Sequence, residues 1–194
     1  MKTRTFLMIA CLVVVPLTIP AETLLDADGV WKGAYSIDMK MIELDDEEAF
    51  MLGGRGGWTY DSTLFVGGAL YGLITDVPKK KPVLYRMRDY RLFYLGLLNE
   101  YEFHQERKIH SSISFLTGVG AIGYWPNTHG VESHTSSDFV IFETALHMVF
   151  NVVPGYRIGL GLGYRLVHGV KLAGTTSTDL SGPSLTLAFR FGGE

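Results

Sequence analysis

The chain has 194 residues, of which 47% are hydrophobic and only 19% charged, with 23 glycines, 12% aromatics and one cysteine. That length suits one domain with a real core, and the apolar content excludes a disordered chain. A lone cysteine excludes a disulfide framework or a thiolate metal site, and a net charge of -3 gives no general attraction to nucleic acid.

Met1-Lys2-Thr3-Arg4 is a positive start, followed by an unbroken apolar run from Phe6 to Val15 and breaks at Pro16 and Pro20. This is the pattern of a secretory signal, too short and too proline-broken for a spanning helix. Cleavage after Ala21 is expected, giving domains of 1–21 (signal) and 22–194 (one barrel). The alternative is lipidation at Cys11, against which the stretch before it, Phe6 to Ala10, is short. Losing Lys2 and Arg4 with the signal takes the net charge from -3 to -5, and Cys11 goes with them.

Downstream, period-two alternation replaces any helical stripe. It predicts strands over 33–42, 48–60, 63–75, 90–103, 109–124, 138–152, 156–168 and 182–191. Asp61-Ser62, His104 to Lys108 and Val153-Pro154-Gly155 are short connections, and Pro-Gly suits the centre of a type II turn. Asp76 to Asp89, Pro126 to Ser137 and Gly169 to Ser181 are long polar stretches, whereas Leu44 to Glu47 is short. Short and long connections alternate, as in an antiparallel up-and-down transmembrane barrel with short periplasmic turns and longer outer loops.

The faces of the strands choose between a membrane barrel and a soluble, lipocalin-like one. In the seventh strand Tyr156, Ile158, Leu160, Leu162, Tyr164 and Leu166 oppose Arg157, Gly159, Gly161, Gly163 and Arg165. The fourth sets Phe93, Leu95, Leu97, Tyr101 and Phe103 against Tyr94, Gly96, Glu100 and Glu102, and the sixth sets Val140, Phe142, Leu146 and Met148 against Glu143, Ala145 and His147. Asp38 and Lys40 oppose Tyr35, Ile37 and Met39; Arg55 opposes Phe50, Leu52 and Trp58; Arg190 opposes Leu187, Phe189 and Phe191. Glycines beside arginines suit a narrow lumen, because they leave room for long side chains from other strands. An arginine in the middle of a bilayer would cost about 2–4 kcal/mol. The charged faces are therefore expected inside, with aromatics near strand ends forming interfacial girdles.

The strands Leu52-Gly-Gly-Arg-Gly-Gly-Trp58, Val66-Gly-Gly-Ala-Leu-Tyr-Gly72 and Gly161-Leu-Gly-Tyr-Arg-Leu166 give the chain, over roughly residues 30–191, a resemblance to a known family. It resembles the small eight-stranded outer-membrane β-barrels of Gram-negative bacteria, within a subgroup that implies a fold and a location but no activity. The resemblance also implies that Gly182 to Phe191, with Leu185, Leu187, Phe189 and Phe191 in phase, is the signal read by the barrel-assembly machinery. Gly192-Gly193-Glu194 after the aromatic departs from that pattern.

Catalytic chemistry is sparse, and no cofactor or metal is expected. Gly53-Gly54-Arg55-Gly56-Gly57 lacks the Lys-Ser/Thr and the helix of a phosphate loop. His129 and His134 share a long loop and are candidate metal ligands, with solvated loop histidines as the plainer reading. His110 and Ser112 share a face, and Glu143 on the adjoining strand is a candidate third member, as in barrel lipid A deacylases. An enzyme on lipid A or phospholipid is therefore one alternative, and a small-solute pore is another. Lys79, Lys80 and Lys81, followed by Arg86, Arg88 and Arg91, form a basic run suited to lipopolysaccharide phosphates if it lies on the outer rim.

The leading expectation is a monomeric outer-membrane barrel of structural, adhesive or lipid-organising role. Its lumen would be plugged by a network of Asp38, Lys40, Arg55, Glu100, Glu102, Glu143, Arg157, Arg165 and Arg190. Five cations against four carboxylates suit pairing more than a selectivity ring of one sign, with Glu143 expected to hold an arginine.

Overall fold

A computed structural model describes residues 29–77, 88–126 and 135–193. The strands are β1 (Trp31–Leu44), β2 (Glu47–Tyr60), β3 (Leu64–Leu73), β4 (Arg88–Phe103), β5 (Ile109–Pro126), β6 (Thr135–Val153), β7 (Tyr156–His168) and β8 (Gly182–Gly192). Each pairs antiparallel with its neighbours in sequence, and β1 pairs with β8 to close the barrel. All eight expected strands are present, with ends moved by at most three residues. The closure removes every sheet edge, which is what lets β-structure sit where no water can satisfy a free N–H or C=O.

The turns follow local chemistry. Asp45 and Asp46 both have positive φ (53° and 61°) and connect Leu44 to its partner Glu47, the geometry of a two-residue hairpin turn. Gly155 has φ 75° after Pro154, as a type II turn requires. The segment 169–181 departs from expectation, because a short helix, α1 (Ser177–Leu180), stands where a polar loop was expected. Four residues are too few to show a helical period. What the turn does is bury Leu180, which is 1% exposed.

Alternation then sorts the faces. Leu162 is 70% and Leu97 71% exposed, whereas Arg165 is 1% and Arg157 5% exposed. The large apolar side chains point outward and the charges inward, the reverse of a lipocalin-like barrel. Phe93 and Tyr164 lie outward toward the far end, and more of the outward aromatics gather at the terminus end, where β1 begins and β8 ends. There the Phe191 ring lies 5.2 Å from both Tyr35 and Tyr156, and Trp58 and Tyr101 share this belt. The opposite end carries the connections at 74–87, 127–134 and 169–181, the longer set that the loop-length rule expects outermost, and is termed the outer end.

Candidate functional site

Eight strands enclose an interior that side chains can just fill, so the site is the filled lumen. It divides into layers along the barrel axis. At the terminus end, Glu100 and Glu102 on β4 receive cations from three other strands. Arg55 of β2 pairs with Glu100, and Arg190 Nη1 of β8 lies 2.7 Å from Glu100 Oε1 and 3.2 Å from Glu102 Oε1. Arg157 Nη1 of β7 donates to Glu102 Oε2 at 2.6 Å. Asp38 on β1 stands 3.7 Å from Arg55 Nε and accepts from Ser36 Oγ at 2.6 Å and Tyr71 OH at 2.7 Å.

The middle layer is built around Lys40. Its Nζ donates to both Glu143 oxygens at 2.9 Å and to Tyr94 OH at 3.0 Å, and it sits 3.7 Å from the centroid of the Tyr71 ring. Ser184 Oγ donates to Glu143 Oε1 at 2.9 Å and Tyr94 OH to Oε2 at 3.2 Å. Glu143 therefore holds a lysine, where an arginine was expected. The arginine beside it in register is Arg165, which has no carboxylate within 4.0 Å among the described residues. With the Glu143 oxygens already engaged, its guanidinium donates from Nη2 to the Glu43 carbonyl at 3.2 Å and from Nη1 to Met51 Sδ at 3.9 Å. Arg165 thus belongs to the lumen but not to its ion pairs.

Glycines make the packing possible by being absent side chains. A Cβ on Gly161 would collide with the His147 ring, and one on Gly159 would stand 3.0 Å from Arg190 Nε. The glycine face of β7 is thus the space into which β6 and β8 put their long groups.

Toward the outer end the lumen ceases to be polar, which strand phase alone did not reveal. Leu44, Met51, Tyr90, Ile122 and Ile141 are all at most 1% exposed, and Leu172 and Leu180 from the 169–181 segment pack with them. Tyr124 OH lies 2.6 Å from Thr175 Oγ1 and Tyr90 OH 3.1 Å from it, while the Asp45 N–H donates to the Asp179 carbonyl at 3.1 Å. These bonds hold the segment across the mouth. Tyr90, Tyr124, Thr175 and Leu180 went unnoticed in sequence because only the return of 169–181 over the barrel gives them a common place.

His110, Ser112 and Glu143 are not brought together. His110 Nε2 lies 3.2 Å from Glu102 Oε2 and Ser112 Oγ donates to Glu100, while Glu143 is engaged by Lys40. A second serine–histidine contact, Ser114 Oγ to His147 Nε2 at 3.0 Å, lies in the packed interior. Neither arrangement places a nucleophile, a base and an orienting carboxylate in one line. Residues 1–21, Lys79, Lys80, Lys81, Arg86, His129 and His134 lie outside the described residues; Arg88 opens β4.

The chain matches no protein-family model and no curated protein. Solved structures do resemble it. Neisserial surface protein A is 13% identical with a TM-score of 0.56, over 83% of this chain and 96% of that one. The N-terminal β-barrel domain of Pseudomonas aeruginosa OprF is 10% identical at 0.56, over 85% and 99%. A major outer membrane protein from Thermus thermophilus is 10% identical at 0.55, over 82% and 98%. The fold is that of the small eight-stranded outer-membrane β-barrels.

Proposed function

We propose that the protein is a plugged barrel of the bacterial outer membrane, monomeric, and acting through its surface and its lipid contacts rather than by conducting solute. The observation that carries this is the two-part filling of the lumen. Paired charges cross it at the terminus end, and apolar side chains with the 169–181 segment occupy it at the outer end. Two cavities along the interior have volumes of only about 20 Å³ each, room for a water or two and for no solute column. A lipid location is supported by the broad outward band of large apolar side chains, whose mid-strand positions include Asn99, Thr117 and Thr144 but no charge. Assembly through the terminal strand is part of the same proposal, since Phe191 is paired on both sides, with Tyr35 of β1 and Tyr156 of β7.

Membrane fractionation with heat-modifiable gel mobility tests the location, and planar-bilayer recording tests the plug. The wild-type protein is expected in the outer-membrane fraction and silent in the bilayer. Steady, ion-selective openings would overturn the plug, and recovery as a soluble periplasmic protein would overturn the membrane assignment.

The basic run at Lys79, Lys80 and Lys81, with Arg86 and Arg88, is proposed to meet lipopolysaccharide phosphates at the outer rim. Neutralising the three lysines together should weaken lipopolysaccharide binding, and the difference from wild type should shrink as salt is raised. Equal binding by the triple variant at low salt would remove this contact.

A further inference from the structure

The terminus-end layer holds more hydrogen-bond donors than its carboxylates can absorb. Ser112, Arg55 and Arg190 already engage Glu100; Arg190, Arg157 and His110 engage Glu102. Left over are Arg55 Nη2, Arg157 Nε, Arg190 Nε and Nη2, and Thr59 Oγ1, all buried and without a partner. The three arginine side chains are only 5–6% exposed and Thr59 is 1% exposed. All four residues line one cavity of about 20 Å³, together with Glu100 and Glu102. Three guanidinium groups thus meet around a space the size of a small ion, with Glu100, Glu102 and, 3.7 Å from Arg55 Nε, Asp38 as their carboxylate partners.

Thr59 and Arg157 approach each other across Gly193. A Cβ there would stand 2.8 Å from Thr59 Oγ1 and 3.0 Å from Arg157 Nη2, so no side chain fills the gap between them. A buried N–H without an acceptor is costly, and an arginine has no acceptor of its own to offer a neighbour. A water could accept two of these donors but would bring two protons of its own into a donor-rich place. A species that only accepts fits the shortage of acceptors, and an anion takes the strongest hydrogen bonds from guanidinium donors.

We propose that this cavity binds a small monovalent anion of about the size of chloride, held by Arg55, Arg157, Arg190 and Thr59. The anion would accept from the buried donors that the carboxylates leave over and tie β2, β7 and β8 together just inside the periplasmic mouth.

The test uses the full mature chain folded in detergent, with chloride titrated against gluconate at constant ionic strength and followed by chloride-35 NMR line broadening. Saturable broadening is expected that is absent for the unfolded chain in the same detergent, together with an unfolding midpoint that rises with chloride. Bromide and acetate are the competing arms; displacement by bromide alone identifies a halide site, and displacement by both identifies a site for small anions in general. Thr59→Val should weaken the affinity by about tenfold, the loss of one hydrogen bond to a charged group at the low end, while Thr59→Ser should retain it. Heat-modifiable mobility checks that each variant is folded. Broadening no greater than that of the unfolded chain, or identical affinity in folded Thr59→Val, would overturn the proposal.

Discussion

Glu143→Ala should be among the most damaging substitutions in the barrel, costing about 3–5 kcal/mol, the usual loss when one partner of a buried pair is removed. The Lys40 side chain, 4% exposed, would be left buried with only the Tyr94 hydroxyl and the face of the Tyr71 ring as partners. Reversible urea unfolding in detergent or lipid vesicles measures the loss. Combining Lys40→Met with Glu143→Leu should recover most of it, because an apolar pair of similar volume avoids the desolvation cost of both ions. If Glu143→Ala alone unfolds at the wild-type midpoint, the Lys40–Glu143 pair is not the keystone of the middle layer.

Leu162→Arg probes the other face. Leu162 lies near the middle of β7 and is 70% exposed, so in a bilayer its side chain meets acyl chains. An arginine there should cost about 2–4 kcal/mol of folding free energy in lipid vesicles. Leu160 and Leu166, outward on the same strand, set the depth series: the penalty should fall as the arginine moves toward the outer rim. In a water-exposed barrel the same substitution would be nearly neutral, within about 0.5 kcal/mol, as surface changes usually are. A flat response along β7 would therefore contradict the lipid-facing assignment.

The two experiments read the two faces that one alternation separates, and that alternation was legible in the chain. The phase in which Arg157 and Arg165 share a face with three glycines, opposite Leu160 and Leu162, places them inward without knowledge of any neighbour. Strand number, short and long connections and the direction of each face follow from such local patterns. They do so because the side-chain period of a strand is two and a slip of one residue would turn every side chain over.

Partnership was a different matter. Lys40 and Glu143 are 103 residues apart and meet across the lumen, from β1 to β6. Phase says that both point inward but not at what height or angle, so an arginine was expected at Glu143 where Lys40 stands. The height of each inward residue depends on the stagger of strands around a closed barrel, which no stretch of sequence carries alone. The apolar outer half has the same origin. Leu172, Thr175 and Leu180 read as part of a polar loop until the chain folds back over the mouth, where burying Leu180 outweighs exposing it. Local alternation therefore determined the barrel and its two faces. Closure determined which charges pair, where Arg165 stands without a carboxylate among the described residues, and how the lumen is sealed.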